Sequence, residues 1–264
     1  MYNVKISVVI PCYNCVETIE VCFDSAYNQS YPIYEIILVN DGSTDGTLIK
    51  LKELQSKYQT RHDTKIIIKN QENRGPSEAR NNGIRVSTGD WIAFLDSDDM
   101  WHLDKVKTQV NVILLDDSIV SIGGGKGKLN EQLSSIKKFK VNFKQMRLKN
   151  YFLTSSTMVN RNSLKGLFFN VNQKHSEDYR FFWELLKDGK VGVILEDNLS
   201  NSILNKRDFG DSGLSGDLNK MEKGELSNFR YFYMKGKLSL FELVICYCFS
   251  ILKYFRRVFI SKFL

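Results

Sequence analysis

The stretch "YPIYEIILVNDGSTDGTLIKLKELQSKYQTRHDTKIIIKN" (31–70) decides the fold class. Residues 31–40 form an apolar run of strand character, and 44–59 place Leu48, Leu51 and Leu54 along one helical face. Residues 64–70 return to a β-branched run. Strand, helix and strand in that order and length make a βαβ unit, which requires parallel strands. The pattern extends outward on both sides. "KISVVIP" (5–11) and a helical 16–29 precede it, and a helical "PSEARNNGIRVS" (76–87) and "DWIAFLD" (90–96) follow. The expectation is an α/β domain, Rossmann-like, with a mostly parallel central sheet flanked by helices.

Open α/β sheets collect ligands beyond the carboxyl ends of their strands. The chemistry-bearing clusters fall at those ends: "PCYN", "DGSTDGT", "NRGPSEARN" and "DSDD". Asp41 ends the second strand, where a carboxylate can accept from ribose hydroxyls or a base N–H; Asp45 reads as a helix N-cap. Of the two arginines in "NRGPSEARN", Arg74 suits an anionic ligand and Arg80 an internal carboxylate. Asp96, Asp98 and Asp99 crowd one strand end, and such a cluster repels itself unless a cation intervenes. A hard divalent ion, Mg²⁺ or Mn²⁺, binds one or two carboxylates and completes its shell with water and substrate phosphates. Further on, "HSEDYRFFWELL" sets Glu177 and Asp178 at the first turn of a helix. The helix dipole alone favours acids there, and a carboxylate so placed can also serve as a general base.

The chain has 264 residues and a formal net charge of +7, which points to an anionic partner. Its lysines concentrate in 126–149, read by itself as a solvated basic face. The five cysteines are odd in number and bunched at the two ends, and Cys12–Cys15 has no second pair to complete a zinc site. They read as free thiols of a reducing compartment. "ISVVIP" passes into polar residues with no long apolar leader, so a cytoplasmic body is expected. Beyond residue 100 the pattern gives a helix over 101–117, a strand over 118–125, a helix over 176–190 and a strand over 191–197. The stretch 236–264 is apolar, aromatic and basic by turns. It is too short and interrupted to span a bilayer, and it fits an interfacial helix or a helix packed on the domain or on a second copy.

"SVVIPCYNCVETIEVCFDSAYNQSYPIYEIILVNDGSTDGT" followed by "NRGPSEARNNGIRVSTGDWIAFLDSDD" resembles the nucleotide-sugar half of a family 2 glycosyltransferase. "EDYRFFWELL" is similar to the family's later Glu-Asp motif, and "KRDFGDSGLS" (206–215) to the segment that follows it in bacterial members. The resemblance implies a GT-A fold, a divalent cation (Mn²⁺ or Mg²⁺) and inversion at the anomeric carbon. By position, Pro11, Tyr13, Glu17, Asp41, Arg74, Asp96 and Arg207 would bind the donor. Asp98, with Asp96, would hold the metal, and Asp99 would orient a neighbour. Asp178 would be the catalytic base and Glu177 its support. Residues 1–105 would bind the nucleotide sugar, a UDP-sugar; 106–215 would bind the acceptor and carry the base; 216–264 would form a helical tail able to touch a membrane. The implied acceptor is a saccharide, lipid-linked, at the cytoplasmic face of the cell membrane in O-antigen or capsule assembly, with no nucleic-acid partner. The competing readings are a basic nucleic-acid-binding protein, which leaves the acid clusters unexplained, and a catalytically silent sugar-nucleotide binder.

Overall fold

The computed structural model describes residues 4–59, 63–129, 133, 137–204 and 216–263, the last two as backbone only. Strands β1 (Ile6–Cys12) and β2 (Glu35–Asp41) are buried along their whole length, as apolar runs covered on both faces must be. Helices α1 (Ile19–Tyr27) and α2 (Thr47–Tyr58) connect them to each other and to β3 (Lys65–Gln71). Helix α3 (Pro76–Val86) leads into β4 (Trp91–Phe94) and the short β5 (Asp99–Trp101). Then come α4 (Lys105–Ile113), β6 (Ile119–Lys126), β7 (Lys138–Val141), β8 (Met158–Asn160) and the one-turn α5 (Arg161–Leu164). Helix α6 (Glu177–Leu185), the long β9 (Val191–Ser202), α7 (Leu218–Met234) and α8 (Leu240–Phe263) complete the chain.

The sheet runs β3-β2-β1-β4-β8-β6-β9-β5, with β7 also on β9. Strands β3, β2, β1 and β4 are mutually parallel, as the first hundred residues predict. Beyond them the sheet is mixed: β8 lies antiparallel to both β4 and β6, while β6 and β9 are parallel. Strand order reverses at β1, whose neighbours are β2 and β4, and this opens a crevice at their carboxyl ends. Alternate residues of β1 serve opposite cores. Ile6, Val8 and Ile10 face the layer containing Phe23, Leu51 and Val106, whereas Val9 faces the layer built from α3, α6 and α7.

The second layer is aromatic. Phe169 stacks on Phe181 at 4.0 Å between ring centres, and Trp183 meets Phe232 of α7 at 4.2 Å. The pattern of the sequence does not reveal β5, β7, β8 or α5; α7 and α8 are the helices of the tail expected over 216–264. Three-residue strands are defined by their partners rather than by a period, and β5 exists because Met100 and Trp101 pair with Asn201 and Ser200. That pairing also delays α4 to Lys105 and prolongs β9 to Ser202, beyond the predicted 101 and 197. The cysteines are free thiols, with Cys12, Cys15, Cys22 and Cys246 buried.

Helix α7 fixes the start of α6. Asn228 Nδ2 donates to the Ser176 carbonyl at 2.8 Å, and Ser176 Oγ donates to the Met221 carbonyl at 3.0 Å. The approach is close because residue 224 is glycine: a Cβ there would lie 2.2 Å from the His175 carbonyl oxygen. Gly224→Ala is therefore expected to destabilise the fold by about 1–3 kcal/mol in denaturant unfolding. Helix propensity alone would give a gain of about 1 kcal/mol, and that result would show α7 is not held against residue 175.

Candidate active site

Three loops beyond β1, β2 and β3 are stitched into one rim. Asn14 accepts from Thr44 N at 2.8 Å and donates its own N–H to Ser43 Oγ, and Cys15 N donates to Thr47 Oγ1 at 2.8 Å. Asp45 accepts from Thr47 N and from Val16 N, but the N-cap of α2 is Gly46, so Asp45 braces the loop just before the helix instead of capping it. Asp41 is buried at the end of β2. One of its oxygens accepts from Gln71 Nε2 (2.6 Å) and Arg74 N (2.8 Å), the other from Gly75 N (2.9 Å). Gly75 has φ of +86°, a conformation that suits glycine and turns the chain into α3. Asp41 thus shapes the loop that presents Arg74, whose side chain is 65% exposed and sits 3.9 Å from Glu72. Pro11 is buried in β1, while Tyr13 and Glu17 are exposed on the loop that follows. Arg207 lies outside the described residues.

The acid cluster past β4 is largely neutralised by the protein itself. Arg80, only 8% exposed, donates from Nη2 to Asp96 Oδ1 at 2.6 Å. Burial works against the charge of Asp96, but Arg80 holds its carboxyl below the usual range. Asp99 is buried and pairs with Lys126 at 2.7 Å; burial and the neighbouring Asp96 still push its carboxyl up to about 6. Lys126, the first residue of the lysine-rich segment, is therefore a partner of the acid cluster and not part of a solvated face. Asp98 is half-buried between these two pairs. Among the described residues no group of three or more His, Cys, Asp or Glu is arranged to hold a metal ion. As hard oxygen donors near one strand end, Asp96 and Asp98 suit an ion taken by one or two carboxylates and completed by substrate phosphates.

The same arginine reaches the second acidic motif. Arg80 Nη1 lies 3.4 Å from Glu177 Oε1, and the guanidinium stands 5.4 Å from the centre of the Phe169 ring. Glu177 is buried; desolvation, then the neighbouring Asp178 charge, push its carboxyl up to about 7 despite Arg80. Burial likewise raises Asp178, and Asn150 Nδ2 donates to its Oδ2 at 2.9 Å. Asn150 is in turn oriented by Phe152 N, which donates to its Oδ1. Neither Asn150 nor Lys126 stands out in the sequence, because each lies about 27–28 residues from its acidic partner and outside any motif. Together these elements set two raised carboxylates, Glu177 on the arginine that also binds the acid cluster and Asp178 on Asn150, side by side at a sheet crevice. This is an arrangement suited to moving a proton beside a bound anion.

Residues 7–175 match glycosyl transferase family 2. The chain belongs to that family. An uncharacterized glycosyltransferase of Haemophilus influenzae is 32% identical over 75% of this chain and 78% of its own. The Escherichia coli enzyme WfgD, a UDP-Glc:alpha-D-GlcNAc-diphosphoundecaprenol beta-1,3-glucosyltransferase, is 29% identical over 74% of each chain. The GT-A fold is shared with Staphylococcus aureus TarS (residues 1–349) at a TM-score of 0.70 and 19% identity, covering 98% of this chain and 74% of TarS. It is shared too with a Pyrobaculum calidifontis mannosyltransferase in complex with GDP-Man and Mn²⁺, at 0.69 and 18%, covering 100% and 77%. Family membership supports the glycosyltransferase reading over the nucleic-acid-binding one that the net charge also suggests.

Removing the shared cation leaves two carboxylates without compensation in a buried setting. Arg80→Met should cost about 3–5 kcal/mol of unfolding free energy at neutral pH. An unchanged denaturant midpoint would show that the pairs carry no weight.

Proposed function

We propose that this glycosyltransferase moves a sugar from a nucleoside-diphosphate sugar, a UDP-sugar, to a hydroxyl of a lipid-carried saccharide, with inversion at the anomeric carbon. The observation that carries the reading is Asp178: half-buried, raised, oriented by Asn150 and adjacent to Glu177, which Arg80 links to the acid cluster. Asp178 takes the proton of the attacking acceptor hydroxyl, and Glu177 and Asn150 hold its carboxylate in place. Pro11, Tyr13, Glu17 and Asp41 form the nucleoside side of the crevice, and Arg74 faces the donor from the Asp41-held loop. Asp98, with the second oxygen of Asp96, would hold Mn²⁺ or Mg²⁺. That ion supplies charge neutralisation for the departing diphosphate. Lys126 and Arg80 keep the other carboxylate charges from repelling the donor. Arg207 is assigned to the diphosphate by its motif alone. In this scheme 1–105 binds the donor, 106–215 carries the acceptor side and the base, and 216–264 holds the enzyme at the cytoplasmic face of the cell membrane. WfgD, whose printed substrate is a diphosphoundecaprenol-linked sugar, supports the lipid-carried acceptor.

Asp178→Asn should abolish transfer while the protein stays folded and keeps donor and Mn²⁺ binding by calorimetry. Full turnover in a folded Asp178→Asn protein would remove it as the base. Because burial raises both carboxyls, protonation of the pair on acidification should cut kcat well above pH 4, the ordinary carboxylate range. An acid limb of the kcat profile near pH 4 would contradict the assignment of a raised carboxylate as the base. Donor and metal binding with no turnover in the wild-type chain, across a panel of UDP-, GDP- and dTDP-sugars with lipid-linked acceptor extracts, would favour the silent binder.

A further inference from the structure

Helix α8 has its polarity reversed. The face against α7 carries buried Cys246 and Ser250, and also its cations: Arg257 pairs with Glu222 at 2.9 Å, and Lys253 pairs with Glu225. The outward face carries Phe241, Val244, Ile245, Cys248, Leu252, Phe255 and Phe259, all exposed. At 100° per residue these seven fall on one side of the helix, along a stripe about 27 Å long at 1.5 Å per residue. A helix that turns charge inward and apolar surface outward is built to meet something apolar.

Charge identifies what that is. Residues 216–264 hold nine basic and four acidic residues, a net +5 of the chain's +7. The four acids are all occupied within the molecule: Asp217 by Lys220, Glu222 by Arg257, Glu225 by Lys253 and Glu242 by Arg147. Arg256, exposed at the edge of the stripe, has no ion pair among the described residues. A second copy laid on this face would bring two such basic segments together, whereas an anionic surface would attract both the stripe and its flanking cations. No described helix is long and apolar enough to cross a membrane, so the contact is one that lies along a surface.

We propose that the outward face of α8 docks flat on an anionic lipid bilayer, with Phe241 to Phe259 at the headgroup–acyl boundary and Arg256 at the lipid phosphates. The choice of a bilayer over another apolar partner rests on the lipid-carried acceptor proposed above. This device leaves the transferase crevice to work on an acceptor carried by the same surface.

The test is flotation of the full chain with vesicles of phosphatidylcholine mixed with phosphatidylglycerol, against pure phosphatidylcholine. Wild-type protein is expected to float with the mixed vesicles and to release as salt rises. Leu252→Glu with Phe255→Glu should lower that binding on the order of tenfold or more. Ile49→Glu, at an exposed position of α2, should leave it unchanged. Absence of wild-type flotation, or equal flotation of the double variant, overturns the proposal. So does a wild-type dimer that the double variant splits without any flotation, since the face would then belong to a second copy. Release of nucleoside diphosphate from a panel of nucleotide sugars with detergent-solubilised lipid-linked acceptor extracts, measured without vesicles, separates the two readings. Turnover without flotation sinks the docking alone, and flotation without turnover sinks the transferase reading alone.

Discussion

One buried guanidinium holds the two acidic motifs of this molecule in register. Arg80 comes from the middle of α3, one of the helices that connect the parallel strands, and spends one nitrogen on Asp96 and another on Glu177. Asp96 belongs to the loop after β4, and Glu177 begins α6, eighty-one residues later in the chain. Without a cation between them, these carboxylates and Asp178 would raise one another's pKa and push the two motifs apart. With it, the two motifs stand together at the sheet's switch point, where the proposed scheme puts the donor phosphates and the acceptor proton.

The parallel half of the fold was open to reading because its strands are buried on both faces and so form unbroken apolar runs, each ending in a turn cluster. Asp41, Asp96 and Asp178 sit where that reading puts them, at strand ends or at the first turn of a helix, while Asp45 lies just before the Gly46 that caps α2. What the pattern did not show is how those groups are shared. Asp41 reads as a ligand, yet its two oxygens are already engaged by Gln71, Arg74 and Gly75, so part of its work is to shape the loop that presents Arg74. Lys126 reads as the edge of a basic surface and is instead the partner of Asp99. Asn150 has no motif at all. Pairings between residues far apart in sequence leave no periodic trace, and here they decide which carboxylates are engaged within the molecule.

The second half of the chain illustrates the same limit on a larger scale. Strands β5, β7 and β8 are three or four residues long and are defined by the strands they join. Helix α7 was invisible as a functional element, although it sets the start of α6 through Asn228, Met221 and the space left by Gly224. The C-terminal stretch was legible only as ambiguous, packed or interfacial. The structure shows it packed on α7 by one face and apolar on the other.

The central claim is that Asp96 and Glu177 are coupled through Arg80, and a double-mutant cycle on unfolding free energy measures that coupling directly. Asp96→Asn, Glu177→Gln and the double variant are compared at neutral pH, first with Arg80 present and then in an Arg80→Met background. The account predicts a coupling of about 1 kcal/mol or more with the arginine present, and its loss when the arginine is removed. Additivity within about 0.3–0.5 kcal/mol in the presence of Arg80 would contradict it.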